Sequence, residues 1–458
     1  MLEPGGRRPY YLIVGLSGVL FALHVWIASV QANYAYVDDI TYLTAAVHML
    51  DGTTCALVPG NGCNFEHPPL TKMFMALGFE VFGRVATFGS QVDVGANQFG
   101  GRFFQMLMDA LAAPIMYLVV DKMSGGNWKM AFLAAAFILV DPLFFTLSST
   151  AILDTPMVFF GIVALLPYAY GDRVGRFNGY LLTGAALGLS LLAKESAVFI
   201  IVAILSFELL VADGPWRKRL LSSAEIVVGI VIVFCVGLEV FDAAFTTFPS
   251  FLSQLELMVN FHFGAGPGQI TYLAEAGDCN LYTALCPTDR SLLPHFLYGD
   301  LPLGPIISNN CFECWAAQNP LDWLTYFPPV VLPQALVTAP NYALVWLSFV
   351  WVPLAAWKFR VIRATQEGKV LLMGLSIFGW NVVSNLYIYS VVNRPVFEWY
   401  FLPAVPGLAM GGAYLLTRPG IPKWARYGLV AAVVIVGVLL SPGLYEALYP
   451  QPQTCVWC

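Results

Sequence analysis

The sequence predicts an all-α polytopic membrane protein with about 11 transmembrane helices, and three observations carry that expectation. The 458 residues are 58% hydrophobic and only 11% charged, with a mean hydropathy of +0.71, more apolar surface than a soluble core can hide. The apolar residues come in runs of about 20, the length that crosses a hydrocarbon layer about 30 Å thick. The basic residues gather in alternate connections, as the positive-inside bias requires. Lys and Arg are too few and too scattered for a nucleic-acid surface, so a lipid bilayer and no nucleic acid is expected as partner.

Taken in order, Arg7 and Arg8 precede a first apolar run at 10–31. A signal peptide would show a small-residue cleavage site soon after such a run. This one has spanning length and leads directly into a polar motif, so it reads as a retained helix. Ten further spans are expected at 100–121, 128–147, 152–170, 178–193, 196–212, 222–244, 338–358, 370–391, 397–416 and 424–441. Around Lys194 the 178–212 stretch reads as two short helices with a break. Two amphipathic pieces, 38–50 and 68–82, are too polar or too short to span and read as interfacial helices.

With the N-terminus inside, all but six of the 22 basic residues fall in inner loops. The six are Lys72, Arg84, Arg102, Lys194, Arg290 and Arg394. The outer side then carries the loop 32–99, a segment 245–337 and the tail 443–458. The domain reading follows: an N-terminal transmembrane module 1–244 with its outer loop, an extracytoplasmic Cys-containing loop 245–337, a C-terminal transmembrane module 338–442, and the outer tail. Eight of the nine cysteines lie in these outer segments. An even number on one face argues for disulfides in an oxidising exterior. The spacings suggest local pairs Cys55 with Cys63, Cys279 with Cys286, Cys311 with Cys314, and Cys455 with Cys458. The two Cys-x-x-Cys pairs alternatively suit a zinc site. Cys235, inside a span, reads as a small packed hydrophobe.

The polar stretch Tyr36 to Lys72 is anomalous in so apolar a chain. Asp38 and Asp39 follow the first span directly, and a carboxylate there serves as general base, metal ligand or solvated helix start. Glu66 and His67 precede Pro68-Pro69, whose fixed φ starts a helix. Asp154 stands at the start of a span, where a plain helix cap is the alternative. Lys194 and Glu195 interrupt an apolar stretch, and either pair with each other or face a cavity or another partner. Arg102 and Arg394 sit at outer span boundaries, where snorkelling is the alternative. Carboxylates to deprotonate a hydroxyl and cations to hold a departing phosphate are what transfer from a lipid phosphate requires. Asp38 and Asp154 would suit Mg²⁺ or Mn²⁺, although no ligand set demands a metal cofactor.

The motifs resemble a known family. Asp38-Asp39 with Tyr42, followed by His67-Pro68-Pro69-Leu70-x-Lys72, resembles the Asp-Glu…His-Pro-Pro-Leu-Gly-Lys pattern of protein O-mannosyltransferases, members of the GT-C superfamily of polyprenyl-phosphate-sugar-dependent glycosyltransferases. Phe65-Glu66-His67-Pro68-Pro69 is also similar to the Glu-Lys-Pro-Pro of the lipid A aminoarabinose transferase branch. Gly101-Arg102-Phe103-Phe104, Leu153-Asp154, Ala193-Lys194, Asn319-Pro320-Leu321-x-Trp323 and Arg394-Pro395-x-Phe397-x-x-Tyr400-x-x-Pro403 resemble further family motifs, in family order. The resemblance implies a GT-C fold and a direct inverting displacement at the anomeric carbon. It implies Asp38 as the base that activates the acceptor hydroxyl, with Asp39 where the family has Glu. It implies Arg102, Lys194 and Arg394 on the donor phosphate, Glu66 and His67 shaping that site, and Lys72, Asp154 and Tyr400 as its matching positions. The sequence departs at Thr71, where the family has Gly, and at Glu398-Trp399, where it has Tyr-His. It has no room for the β-trefoil domain of eukaryotic members. A prokaryotic multi-pass membrane protein is therefore expected, with N-terminus cytoplasmic and active site extracytoplasmic. The expected donor is a dolichyl- or polyprenyl-phosphate hexose, mannose first, and the expected acceptor a protein Ser/Thr hydroxyl. A glycolipid or cell-wall glycan acceptor is the near alternative. A transporter or flippase, or an assembly subunit, is the alternative of another class; no internal repeat supports transport.

Overall fold

The computed structural model describes residues 4–30, 37–52, 64–65, 67–83, 87–88, 91–92, 99–246, 250–263, 340–390 and 398–439. Apart from a two-residue antiparallel pair, β1 (Thr87–Phe88) with β2 (Gln91–Val92), the regular structure among these residues is helical. After α1 (Pro4–Val30) come two short helices, α2 (Val37–Leu50) and α3 (Leu70–Phe82), then α4 (Phe99–Met123). The expected span 128–147 is instead bent by 53° between α5 (Trp128–Leu139) and α6 (Pro142–Ser148). The reason is local. Asp141 caps α6 by accepting from Phe144 N at 3.0 Å, and Pro142 opens the new helix because its missing N–H costs nothing there.

Next come α7 (Asp154–Val174) and α8 (Arg176–Ala193), joined at Gly175, whose φ of 85° suits glycine. Lys194 is extended (φ −158°, ψ 139°), followed by a 3₁₀ turn at Glu195–Ala197 and α9 (Val198–Leu210), so the expected break is present. α10 (Trp216–Phe245) and α11 (Phe251–Phe263) close the first part of the chain. The second part contains α12 (Tyr342–Trp357), α13 (Phe359–Arg363), α14 (Gln366–Ser390), a 3₁₀ turn at Glu398–Ala404, α15 (Val405–Thr417) and α16 (Lys423–Leu439).

Helices thus occupy each expected span position. By length and composition, five described helices can cross a bilayer, or six if the bent pair counts as one span. The chain is an integral, multi-pass membrane protein; the expected count of 11 crossings is larger than these helices establish.

The two transmembrane parts share one core. α15 is buried along almost its whole length and packs on α5, α12 and α14. Close helix contact is made through small residues, as packing between membrane helices favours. A Cβ on Gly184 of α8 would stand 2.1 Å from the Ile226 carbonyl oxygen of α10, and one on Gly78 of α3 only 2.0 Å from the Gly100 carbonyl oxygen of α4. On α3, Thr71, Lys72, Met75, Ala76, Gly78 and Phe79 form the buried stripe. Met73, Leu77 and Val81, spaced four apart, are exposed and apolar, a face suited to acyl chains. α2 buries Tyr42 to Val47 inside the bundle.

Candidate active site at one end of the bundle

Asp154 and Lys194 form the centre. Asp154 is the first residue of α7, so its carboxylate lies at the positive end of a helix dipole. Lys194 ends α8, and its extended backbone releases the side chain from the helix. The Lys194 ammonium donates to both Asp154 oxygens, at 2.8 and 2.9 Å, with the two residues only 4% and 2% exposed. Two charges so deeply buried are tolerable only because each satisfies the other. Asp154 therefore serves Lys194 and makes no side-chain cap on α7, and Lys194 pairs with Asp154 rather than with the adjacent Glu195.

Tyr400 covers this pair, its ring centroid 4.6 Å from the Lys194 Nζ, a cation–π contact. Its turn is held by α14, where Asn381 and Asn385, one helical turn apart, both donate Nδ2–H to the Tyr400 carbonyl at 3.1 and 3.3 Å. On the other side, His67 Nδ1 donates to Glu195 Oε2 at 3.0 Å, while Tyr42 of α2 meets the His67 ring edge-to-face at 5.9 Å. Thr71 Oγ1 donates to the Ala193 carbonyl at 3.2 Å, a second tie between the His67 turn and the break after α8. That hydroxyl sits where the family has Gly.

Lys72 behaves differently from the other cations. Its ammonium is fully buried and donates to the Asn64 carbonyl, to Asn64 Oδ1 at 3.3 Å and to the His67 carbonyl at 2.9 Å. It holds the turn that presents His67. Asn64 itself has φ of 51°, a conformation asparagine tolerates well. Arg102 is buried in the first turn of α4, beside the Gly78–Gly100 approach and beneath Leu43, which a Cβ on Gly101 would reach at 2.3 Å.

Asp38 and Asp39 belong to the first turn of α2, which enters the bundle at the same end through Tyr42. Their side chains, Glu66, Arg394 and the eight outer cysteines lie outside the described residues, and with them the expected disulfides and the zinc alternative. Cys235 is a free thiol, half-buried in α10. Among the described residues no three His, Cys, Asp or Glu side chains gather as a metal-ligand set.

One cluster was missed by sequence reasoning. His24 of α1 is fully buried, with Nε2 2.7 Å from Asp109 Oδ2 of α4 and Nδ1 2.7 Å from Ser149 Oγ. Its ring stacks on Phe145 at 3.9 Å. Asp109 lies seven residues after Arg102, two turns along the same face of α4. Ser149 directly follows α6 on the segment that leads to Asp154. The network therefore ties the helix carrying Arg102 to the strand of chain carrying Asp154. His24 and Asp109 were each visible as a polar group in an apolar run, the usual sign of an intramembrane partner, whereas Ser149 is flanked by Ser148 and Thr150 and carried no such signal.

Comparison with known proteins bears on the family likeness and the fold. Residues 63–253 match the family model described as Dolichyl-phosphate-mannose-protein mannosyltransferase. The chain is 27% identical over 151 residues to the Saccharomyces cerevisiae protein Dolichyl-phosphate-mannose–protein mannosyltransferase 1, a match covering 29% of this chain and 17% of that relative's length. Among solved structures it is similar to the S. cerevisiae protein O-mannosyltransferase Pmt1-Pmt2 complex bound to the sugar donor, with TM-score 0.64 and 12% identity over 97% of this chain and 91% of that one. It is also similar to ArnT from Cupriavidus metallidurans bound to undecaprenyl phosphate, with TM-score 0.54 and 14% identity over 93% and 63%. A third likeness is to the oligosaccharyltransferase AglB from Archaeoglobus fulgidus in complex with an inhibitory peptide and a dolichol-phosphate, with TM-score 0.53 and 13% identity over 96% and 56%. The fold is that of the GT-C membrane glycosyltransferases, as the sequence resemblance implied.

Proposed function

We propose that this chain, a GT-C-fold membrane protein that is protein O-mannosyltransferase-like over residues 63–253, moves a hexose from a polyprenyl- or dolichyl-phosphate donor to a protein hydroxyl. Mannose and a Ser/Thr acceptor are the preferred substrates, and the outer face of the membrane the preferred side. The observation that supports this most is the convergence of His67, Asp154, Lys194, Glu195 and Tyr400, from four separate stretches of chain, at one end of a GT-C bundle.

In this reading Asp38 takes the proton of the acceptor hydroxyl as its oxygen forms a bond to the anomeric carbon. The bond from that carbon to the phosphate oxygen breaks, and polyprenyl phosphate leaves with the electron pair, inverting the configuration. Asp39 is a neighbour that tunes the site. Lys194 commits two N–H groups to Asp154 and aims the third at a phosphate oxygen, with Arg102 and Arg394 sharing the developing charge. Preorganisation matters here: an ammonium already fixed by Asp154 and Tyr400 loses no rotamer freedom when the phosphate arrives. His67, Glu66 and Glu195 shape the donor side, and Lys72 keeps their turn in place. Asp38 and Asp154 remain the candidates should a divalent cation take part.

Membranes containing the protein, supplied with radiolabelled polyprenyl-phosphate mannose and a Ser/Thr peptide, should transfer label to the peptide. Label in a glycolipid fraction instead would assign the alternative acceptor. Label that crosses a sealed vesicle without any covalent product would replace the reading by transport.

A further inference from the structure

At the end of the bundle opposite Asp154, the helices α4, α7, α8, α9 and α14 part around a cavity of about 750 Å³. Its lining includes Lys122, Tyr168, Tyr180, Phe207, Glu208 and Lys369. Along α8, Tyr180 and Lys194 are separated by about 20 Å at 1.5 Å per residue, so this cavity is distinct from the site described above. Nothing in the proposed transfer reaction uses it.

We infer that this cavity binds a zwitterionic phospholipid headgroup carrying a primary amine, of the ethanolamine type. The deep end supplies the first half of the argument. Glu208 is 2% exposed on α9, a helix whose remaining residues are apolar but for Ser206, and a carboxylate is expensive there unless something is gained. Tyr168 OH donates to Glu208 Oε2 at 2.6 Å. Tyr180 and Phe207 pack edge-on to Tyr168, with ring centroids at 5.9 and 6.0 Å. A carboxylate in a cavity also lined by three aromatic rings is a composition that attracts an alkylammonium, through charge-assisted hydrogen bonding and cation–π contact together.

The mouth supplies the second half. Lys122, 5.6 Å from the Tyr170 ring centroid, and Lys369, paired with Asp213, line the same space at the ends of α4 and α14. Lysines at helix ends between membrane helices suit a lipid phosphate. A purely anionic headgroup would meet the carboxylates of Glu208 and Asp213, and a simple cation would meet the lysines. A molecule with both signs matches a lining that carries both. The carboxylate further prefers an ammonium that still has N–H groups to donate, which selects a primary over a quaternary amine. The depth agrees, because Glu208 lies two residues from the end of α9, where headgroups reside.

The test uses the full chain purified in detergent and native mass spectrometry with phosphatidylethanolamine, phosphatidylcholine or phosphatidylglycerol added at equal concentration. Phosphatidylethanolamine should be retained at least fivefold better than either of the others. E208Q keeps an acceptor for Tyr168 and should fold, and it should reduce retention of phosphatidylethanolamine to the phosphatidylcholine level. K122Q/K369Q should lower retention of every phospholipid. Equal retention of the three lipids, or undiminished selectivity in E208Q, would overturn the inference and leave Glu208 as a tie between α7 and α9. None of these readouts depends on glycosyl transfer.

Discussion

Replacing Lys194 by methionine isolates the central ion pair. The substitution keeps most of the aliphatic length and removes the ammonium, so Asp154 is left 2% exposed with neither of its two hydrogen bonds from Lys194. Breaking a buried pair from one side costs about 3–5 kcal/mol, because the surviving charge keeps its desolvation penalty without its partner. At about 2 °C per kcal/mol for a large domain, the midpoint of thermal unfolding should fall by roughly 6–10 °C. The companion variant Asp154→Leu/Lys194→Met removes both charges and fills the space with apolar atoms. It should regain most of the lost stability, since replacing a whole buried pair by hydrophobic residues is often neutral. It should regain none of the transfer activity, because the phosphate contact is gone. The two measurements are a fluorescence-monitored melt in detergent and the radiolabel transfer assay. A single variant melting within about 1 °C of the unmodified protein would refute the buried-pair argument. A double variant with restored transfer would refute the phosphate-binding role while leaving the structural account intact.

Three further outcomes follow from the geometry. Asp38→Asn should reduce turnover by about 10²–10⁴-fold while donor binding is retained, read by transfer rates beside a donor-binding measurement; undiminished turnover removes Asp38 as the base. Gly78→Ala places a Cβ 2.0 Å from the Gly100 carbonyl oxygen, so α3 and α4 must separate; a loss of about 1–3 kcal/mol in stability is expected, with weakened donor binding as Arg102 shifts, and a melt unchanged from the parent contradicts the close approach. His24→Phe preserves stacking on Phe145 but strips Asp109 and Ser149 of the imidazole; unfolding should move down by about 2–4 kcal/mol, and adding Asp109→Leu should recover part of it if the two side chains are coupled.

Much of the architecture was readable because span-length apolar runs are local signals. The break at Lys194 was visible for the same reason, as charge inside an apolar stretch, and the backbone there is indeed extended. The bend at Asp141-Pro142 carried an equally local signal, an N-cap residue followed by proline, yet the run through it was long enough to read as one span. Partner choice is another matter. Lys194 had an adjacent acid at Glu195, and sequence proximity makes that neighbour conspicuous. Consecutive residues across a helix break point in different directions, so Lys194 met Asp154, 40 positions earlier, and Glu195 met His67.

The amino-acid sequence by itself determined that this is a multi-pass helical membrane protein, and that acids, a histidine and cations lie at its span boundaries. Those properties follow from composition, run length and charge bias, which need no knowledge of which helix touches which. The tertiary structure alone decided that Lys194 contacts both Asp154 and Tyr400, that Lys72 supports a turn, and that His24 joins Asp109 to the segment before Asp154. The physical reason is that in an apolar medium nearly every helix is equally hydrophobic, so hydropathy does not choose neighbours. Close packing through small residues and the pairing of a few buried polar groups make that choice, and both are properties of two surfaces together.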